Sequence, residues 1–397
     1  MSLRSFMLIA GEPSGDLLAA ELVRALKVEL NAQRPGGSVR FLGAGGPEMT
    51  AAGVALSVDL TQHAVVGLLE AIRHYPKFKR LFDQLVQVAL EQRPDVLVCV
   101  DFSGFNRRFA RQLRWEIQVR GIENWRPRVV QYVSPQVWAS RPGRARAMAR
   151  DFDLVLSIFP FEKKWYAERV PGLPVEFVGH PMFDRHAQEE AKASATLSPM
   201  SQTRTAGESA LVVLLPGSRT GELARHSPVL VEAWKEIQTS QPGTRSLMVL
   251  PNEPLAVLAR TFAQPAGIPV QVGGLAEALR NATLAIASTG TVTMECAYFR
   301  VPTVALYKTS WSTYQIGRRI IQVKYLAMPN LLADELLFPE LIQHEATGPG
   351  IAQAALALLK NADKREQLRG KLAAMLATLG GPGASQRAAN AILSRAQ

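Results

Sequence analysis

Two loops in the second half of the sequence combine glycines, hydroxyl side chains and a guanidinium at points where a strand should turn into a helix. They read LLPGSR at 214–219 and ASTGTVTME at 287–295. Free N–H groups at a helix start bind phosphate, and arginine adds a charged fork that matches it. The pattern predicts a diphosphate site with these members: Gly217, Ser218, Arg219, Thr289, Gly290 and Thr291. Plain turn formation and a solvated arginine are the alternatives.

A glutamate, Glu295, follows the second loop on the same predicted helix. Its carboxylate is placed to accept hydrogen bonds from the two hydroxyls of a ribose, and a solvent-facing helix glutamate is the alternative. Neither loop is a Walker A sequence, because no lysine follows the second glycine, and neither matches GxGxxG. ATP hydrolysis and NAD binding therefore lack their usual signature, and a nucleotide sugar remains as the predicted ligand.

A carboxylate in the first half of the sequence is placed to act as a base. Asp101, in the segment VDFSGFN, comes directly after the apolar run Val96–Val100, and open α/β sheets bind ligands at the carboxyl ends of their strands. Transfer of a sugar to a hydroxyl needs a base for the proton, so we predict Asp101 as the general base. Glu12, Asp16 and His63 are alternative bases, and a structural aspartate that caps the next helix is the non-catalytic alternative.

The loop that opens the first half resembles the first phosphate loop. Residues 11–17 and 217–223 both read GxxxG, an acid and a leucine after an apolar run. The loop at 11–17 carries Glu12 and Asp16, which repel an anion, so this loop suits a hydroxyl-bearing partner. Together with the turn YVSPQVWASR, it predicts an acceptor-side surface with these members: Ser14, Gly15, Ser134, Trp138 and Arg141. Core packing of the tryptophan is the alternative.

An apolar run beside a basic cluster indicates binding at an anionic membrane interface. The run is AVVGLLEAI at 64–72, and four basic residues and a histidine follow it within 73–80. The predicted membrane patch consists of Val65, Val66, Leu68, Leu69 and Ile72. An ordinary core helix with a solvated basic face is the alternative.

Composition limits the class of protein. The 397 residues are 47% apolar and 20% charged, which is typical of folded domains and excludes a disordered chain or a single small module. The net charge of +11 suits nucleic acid, an anionic membrane or phosphate-bearing ligands, so charge alone does not choose among them.

Cys99 and Cys296 lie among apolar neighbours and predict buried free thiols. Without a signal-peptide core or a long apolar run, we expect a cytoplasmic protein with peripheral membrane contact.

Short apolar runs alternate with helix-period segments, which is the pattern of parallel α/β sheets. The predicted strands are Phe6–Ala10, Val39–Gly43, Val96–Val100, Val129–Val133, Leu154–Ile158 and Val175–Val178, then Leu211–Leu215, Ser246–Leu250, Val270–Val272, Leu284–Ala287 and Thr303–Leu306. Between the two sets, Gln188–Ser209 predicts a linker or an exposed helix-and-loop excursion. We therefore predict an acceptor- and membrane-side domain at 1–187, a donor domain at 210–345 and terminal helices at 346–397 that pack back across the domains.

Seven motifs in this order resemble the lipid-A-disaccharide synthase family. They are AGExSGD at 10–16, GxGGPxM at 43–49, YVSPxVWA at 132–139, FPFE at 159–162, VGHP at 178–181, LPGSR at 215–219 and PNLLA at 329–333. The resemblance implies a GT-B fold, in which two Rossmann-like domains with parallel sheets face a central cleft. It implies inverting transfer of 2,3-diacylglucosamine from UDP to 2,3-diacylglucosamine 1-phosphate, giving a β-1,6 disaccharide and UDP without cofactor or metal.

The family's functional residues fall on Asp101, Arg219 and Glu295, and also on Asn330, for which the resemblance is the only signal and helix capping is the alternative. The resemblance also implies a homodimer at the cytoplasmic face of the inner membrane. The sequence departs from the family at Ser140, at Thr289 and in the DEL tripeptide after PNLLA. The change at Ser140 puts the predicted acceptor surface in doubt. The DEL tripeptide puts the role of the loop after PNLLA in doubt.

Two other classes of function remain open. One is a different UDP-sugar GT-B enzyme, such as a peptidoglycan-precursor transferase or a UDP-sugar epimerase, which shares the donor half. The other is a basic protein that binds membrane or nucleic acid without catalysis. Because basic runs interleaved with aromatic residues and RNA-binding motifs are missing from the sequence, we expect no nucleic-acid partner.

Overall fold

A computed structural model describes residues 5–61, 75–196 and 209–396 of the chain. The chain divides into two compact units. Unit 1 comprises Met1–Thr196 together with Leu379–Gln397, and unit 2 comprises Leu197–Thr378. Each unit is built on its own parallel sheet.

The strands of unit 1 are β1 (Ser5–Ala10), β2 (Arg40–Gly45), β3 (Ala55–Asp59), β4 (Val96–Val100), β5 (Arg128–Tyr132), β6 (Leu154–Ser157) and β7 (Val175–Phe177). They are all parallel and lie in the order β3-β2-β1-β4-β5-β6-β7. In register, Phe6 of β1 lies between Phe41 of β2 and Val96 of β4. The strand order reverses between β1 and β4, so the loops after these two strands flank the point where such sheets bind ligands.

Helices cover both faces of this sheet. They are α1 (Pro13–Gln33), α2 (Pro47–Ala51), α3 (Tyr75–Gln92), α4 (Ser103–Val119), α5 (Val137–Ser140), α6 (Ala145–Asp151), α7 (Pro160–Arg169) and α8 (Met182–Thr196). Successive residues of β1 enter opposite cores: Leu8 packs with Leu22 of α1, whereas Ile9 packs with Leu85 of α3 and Phe109 of α4. A strand that is buried on both faces is apolar at every position, which is why the sequence shows continuous apolar runs.

Unit 2 contains the strands β8 (Leu211–Leu215), β9 (Arg245–Leu250), β10 (Val270–Val272), β11 (Leu284–Ser288), β12 (Thr303–Tyr307) and β13 (Glu340–Ile342). Their order is β10-β9-β8-β11-β12-β13, again parallel, so this order reverses between β8 and β11. The helices are α9 (Thr220–Ser240), α10 (Glu253–Ala263), α11 (Leu275–Asn281), α12 (Thr291–Tyr298), α13 (Trp311–Ile320), α14 (Met328–Ala333), α15 (Gly348–Leu359) and α16 (Ala362–Ala377).

The last helix, α17 (Ala384–Ala396), packs in unit 1. Its buried residues Ala388 and Ile392 join the core on the α1 face of the sheet. Asp184 in α8 fixes the start of this helix, because its carboxylate accepts the N–H groups of Gly383, Ala384 and Ser385. The predicted region 346–397 is thus divided, with α15 and α16 in unit 2 and α17 in unit 1.

All the predicted strands are present, with small shifts at their ends. Two strands were not predicted, β3 and β13, and both lie at sheet edges with side chains that are only half-buried or exposed. In the predicted break Gln188–Ser209, residues as far as Thr196 continue α8, which fits the helical alternative. Both cysteines are free and buried, as predicted. None of the helices among the described residues is long and apolar enough to cross a bilayer.

Candidate functional site

Two loops of unit 1 meet where its strand order reverses. Gly11, after β1, lies so close to the Phe102 ring that a Cβ on this glycine would be 2.3 Å from the ring atom Cδ1. A Cβ on Gly15, in the first turn of α1, would lie 3.6 Å from the Val100 carbonyl oxygen and 3.9 Å from the Asp101 Cβ. Glycine at position 11 therefore lets α1 begin directly beside the Asp101 loop.

The backbone of Asp101 is held in an unusual conformation. Asp101 and Phe102 have φ values of +47° and +40°, in the left-handed region that residues other than glycine rarely adopt. The Asp101 carbonyl oxygen accepts hydrogen bonds from Asn106 Nδ2 at 2.9 Å and Gln131 Nε2 at 3.1 Å. Its N–H donates to the Tyr132 carbonyl oxygen at 2.8 Å. Since both amide side chains are fully buried, they fix this strained backbone, and such strain concentrates at functional sites.

The carboxyl group of Asp101 has the electrostatic environment of a base. Burial raises the pKa of Asp101, the negative charge of Glu12 raises it further, and a backbone hydrogen bond from Phe102 opposes both effects. A carboxylate with a raised pKa takes a proton more readily near neutral pH. The Glu12 side chain is exposed and forms no cap on α1. The structure thus places one half-buried and one exposed carboxylate near each other at this edge of the sheet.

Asp16 has a different environment from Glu12, although both lie at the start of α1. Asp16 is almost fully buried, and its carboxylate accepts the N–H groups of Gly46 at 2.7 Å, Glu48 at 2.9 Å and Met49 at 3.1 Å. The first N–H groups of a helix have no partner within the helix, and Asp16 supplies one for α2. We therefore interpret Asp16 as a structural cap rather than a base.

The residues predicted for the acceptor side divide into exposed and buried groups. Ser14 and Arg141 are exposed, whereas Gly15 lies beneath the loop that follows β4. Ser134 and Trp138 are buried, with 3% and 8% of their surface accessible. The buried pair therefore shapes the loop after β5, while Ser14 and Arg141 face the solvent.

Sequence reasoning did not assign a role to Glu162, a fully buried carboxyl group that holds this loop. Glu162 Oε1 accepts a hydrogen bond from Trp138 Nε1 at 2.8 Å, and Ser134 Oγ donates to Tyr166 Oη at 3.4 Å. Burial raises the pKa of Glu162 to about 7, and the bond from Trp138 opposes this effect. The FPFE motif was the only sequence signal, and it could not reveal a partner twenty-four residues away.

The two predicted phosphate loops flank the reversal of strand order in unit 2. Gly217 and Gly290 have φ values of +118° and +143°, which suit glycine. A Cβ on Gly217 would lie 2.6 Å from Glu222 Oε2, so the loop passes directly over the first turn of α9. Thr289 is half-buried. The exposed members are Ser218, Arg219, Gly290 and Thr291. Both loops thus present helix starts to the solvent at one edge of the sheet, as a phosphate site requires.

Arg219 is only loosely engaged. Its side chain is 70% exposed, and its Nη1 lies 3.8 Å from Glu222 Oε1. Such an exposed pair contributes little to stability, so the guanidinium can turn to an anion at small cost. The second loop is more firmly anchored, because the Thr289 N–H donates to the Leu306 carbonyl oxygen at 2.9 Å and Thr293 Oγ1 donates to that of Gly290 at 2.6 Å.

A buried histidine that the sequence did not single out supports the first phosphate loop. His226 Nε2 accepts the Lys308 N–H at 2.9 Å, so Nδ1 carries the proton and donates to the Pro216 carbonyl oxygen at 2.7 Å. Burial lowers the pKa of His226, and the bond to Pro216 opposes this effect. The neutral ring ties the loop after β8 to the end of β12.

The two remaining donor-side predictions differ in accessibility. Glu295 is half-buried and is the fifth residue of α12. Asn330 in α14 is fully buried, and its Nδ2 donates to the Phe338 carbonyl oxygen at 2.7 Å and to Glu340 Oε1 at 2.8 Å. Its Oδ1 accepts the Phe338 N–H at 2.7 Å. These bonds orient the segment after α14, so Asn330 acts here as a positioning residue.

Several predictions fall outside the described residues. They concern the alternative base His63 and the membrane patch Val65, Val66, Leu68, Leu69 and Ile72. Where the structure does describe the chain, no group of three or more histidine, cysteine or acidic side chains is arranged to hold a metal ion.

Comparison with known proteins places the chain in a family. The sequence model of the family described as lipid-A-disaccharide synthetase matches residues 6–392. A lipid-A-disaccharide synthase of Geobacter sulfurreducens is 36% identical over 393 residues, covering 98% of this chain and 96% of that protein. A second one, from Coxiella burnetii, is 34% identical and covers 99% of this chain and 98% of its own.

Solved structures share the fold at low sequence identity. UDP-GlcNAc 2-epimerase of Neisseria meningitidis, bound to UDP-GlcNAc, has a TM-score of 0.64 at 11% identity and covers 99% of this chain and 100% of its own. The glycosyltransferase of kitacinnamycin has a TM-score of 0.57 at 17% identity, with 99% of each chain covered. The predicted fold class is confirmed: the protein is α/β, of the GT-B type, with two Rossmann-like units on parallel sheets.

Proposed function

The chain belongs to the lipid-A-disaccharide synthetase family and is a glycosyltransferase, and we propose that it transfers 2,3-diacylglucosamine from UDP to 2,3-diacylglucosamine 1-phosphate. The products are a β-1,6-linked disaccharide 1-phosphate and UDP. The observation that supports this reaction best is the strained, half-buried Asp101 beside Glu12 at the ligand-binding edge of unit 1. Exposed phosphate loops at the corresponding edge of unit 2 supply the second requirement, a site for UDP.

Asp101 acts as the general base in this proposal. Its carboxylate takes the proton from the 6-hydroxyl of the acceptor as that oxygen attacks the anomeric carbon of the donor. The bond from the anomeric carbon to the diphosphate oxygen breaks on the opposite face, which inverts the configuration. Asn106 and Gln131 hold the Asp101 backbone through the 2.9 Å and 3.1 Å bonds to its carbonyl oxygen, so the carboxylate is positioned before substrate arrives.

The leaving diphosphate is stabilised by the first loop of unit 2. The exposed N–H groups after Gly217 and the guanidinium of Arg219 face negative charge that grows on the departing oxygen. The loop of Gly290 and Thr291 adds further donors, and Glu295 accepts the ribose hydroxyls. His226 keeps the first loop in place through its bond to Pro216.

Reaction of radiolabelled UDP-2,3-diacylglucosamine with 2,3-diacylglucosamine 1-phosphate tests the proposal. We expect labelled disaccharide 1-phosphate and an equal amount of UDP. An epimerase would instead change the donor sugar without the acceptor, and a transferase for another pathway would leave this acceptor unused. Either result would contradict the proposed reaction.

Replacing Arg219 with alanine should weaken UDP binding about 10- to 50-fold, because a charge-assisted contact with the diphosphate is lost. Isothermal titration with UDP measures the change. Arg225→Ala is the matched control, since Arg225 is exposed on α9, directly after the Arg219 loop, and its Nη1 bonds to the Gly221 carbonyl oxygen. Equal UDP affinity in the Arg219 variant and the wild type would remove Arg219 from the donor site.

We also propose that the protein acts at the surface of the inner membrane as a homodimer. Both proposed substrates are acylated, and the apolar run at 64–72 is followed by basic residues that suit an anionic bilayer. Replacing Val66, Leu68 and Leu69 together with serine should lower the fraction bound to anionic vesicles about 10-fold. Flotation with phosphatidylglycerol vesicles measures it, and unchanged partitioning would contradict the interfacial role.

A further inference from the structure

Four arginines lie on two neighbouring segments of unit 1, one that follows the Asp101 loop and one that follows β5. Arg107 and Arg108 lie in the second turn of α4, whose first residue, Ser103, follows the loop directly. Arg141 ends the turn of α5, and Arg144 follows it in a 3₁₀ turn that is closed by a bond from the Arg144 N–H to the Arg141 carbonyl oxygen at 2.9 Å. Helices α4 and α6 pack together, which brings the two pairs to the same side of the sheet.

The charge of this group is poorly compensated. Arg107 Nη1 lies 3.8 Å from Asp151 Oδ2, but that buried carboxylate is already held by Arg150 at 2.7 Å and 3.1 Å. Among the described residues, no other acidic side chain lies within ion-pair distance of any of the four arginines. Partial burial lowers the pKa of Arg144, and the charges of Arg141, Arg107 and Arg108 lower it further.

The like charges of Arg141, Arg107 and Arg108 act on Arg144, and an anionic ligand removes the cost of this repulsion. Guanidinium groups match the geometry of a phosphate through paired N–H bonds. Arg108, Arg141 and Arg144 are exposed, so a ligand can reach them from solvent. The cluster therefore has the charge, chemistry and accessibility of a phosphate site.

We propose that Arg107, Arg108, Arg141 and Arg144 bind the 1-phosphate of the acceptor sugar. The inference rests on the proposed function, which supplies a phosphomonoester as acceptor. The helix α4 begins at Ser103, two residues after Asp101, and Arg107 lies roughly 6 Å further along the helix axis. A single sugar ring spans such a separation, with its 6-hydroxyl at Asp101 and its phosphate at the arginines. The phosphate site thereby decides which hydroxyl reaches the base.

Binding of two acceptors to the Arg144→Ala variant tests the site without turnover. One acceptor is 2,3-diacylglucosamine 1-phosphate, and the other is the same molecule without phosphate, each measured in detergent micelles in the absence of donor. We expect the variant to lose about 10- to 50-fold in affinity for the phosphorylated acceptor and less than about twofold for the other. Arg126→Ala is the matched control, because Arg126 is exposed on the same unit at the opposite, amino end of β5.

Equal effects on both acceptors, or no effect on either, would overturn the proposal. Because Arg144 is exposed, folding should survive, and circular dichroism of the variant checks this. Turnover is measured separately with the labelled donor. If wild-type protein binds the phosphorylated acceptor through Arg144 but forms no disaccharide, the phosphate site stands and the proposed reaction fails. If disaccharide forms with equal KM for both acceptors in wild type and variant, the reaction stands and the site fails.

Discussion

Replacement of Asp101 by asparagine is expected to lower kcat about a thousandfold while UDP affinity stays within about twofold, because a general base contributes between about a hundredfold and ten-thousandfold. Asparagine suits the test because it tolerates the left-handed φ of +47° as aspartate does. The bonds from Asn106 and Gln131 reach the backbone carbonyl oxygen and do not depend on the side chain. Single-turnover rates with labelled donor and titration with UDP measure the two quantities.

The dependence of kcat on pH provides a second test of Asp101 as the base. In the proposed mechanism Asp101 must be ionised to accept the proton, so kcat should fall as the pH drops through its pKa, which burial and Glu12 raise above the usual aspartate range. Glu12→Gln removes the negative charge that raises this pKa beyond the effect of burial. The acid limb should therefore move to lower pH, while turnover at neutral pH is retained. A thousandfold loss in the Glu12 variant, with near-normal turnover in Asp101→Asn, would make Glu12 the base instead.

The sequence predicted most of the fold because parallel strands that are buried on both faces leave continuous apolar runs. The missed strands lack that signature: β3 (Ala55–Asp59) and β13 (Glu340–Ile342) lie at sheet edges, where one side meets solvent. The phosphate loops and Asp101 were predicted as site residues for a similar reason. The chemistry predicted for them is local, since it depends on a strand end and the few residues that follow it.

Roles that depend on distant partners could not be predicted in this way. Asp16 and Glu12 belong to one motif, yet Asp16 turns to an N–H group thirty residues away at Gly46. The sequence offered both as bases, and only the folded chain separates them. Asn330 is similar, because its partner Phe338 follows a turn whose path no local pattern specifies. The left-handed backbone at Asp101 was also hidden, since it is imposed by the buried amides around it.

Asp16→Asn is expected to destabilise the start of α2 by about 3 kcal/mol, because a buried carboxylate that accepts three backbone N–H groups is replaced by an amide with one acceptor oxygen. The amide would also turn its own N–H group toward these donors. Hydrogen exchange at Gly46, Glu48 and Met49 should accelerate about a hundredfold, since exchange follows the local free energy of opening. Transfer per folded molecule should change little.

Asp184 provides the matched control for this prediction, because its carboxylate caps α17 in the same way through the N–H groups of Gly383, Ala384 and Ser385. Asp184→Asn should accelerate exchange at those amides and leave residues 46–49 protected. If Asp16→Asn instead lost transfer a thousandfold while its three amides stayed protected, Asp16 would have to act in the chemistry. The cap and the base make opposite demands on one carboxylate: a cap must keep its charge buried against donors, and a base must take up a proton in each turnover.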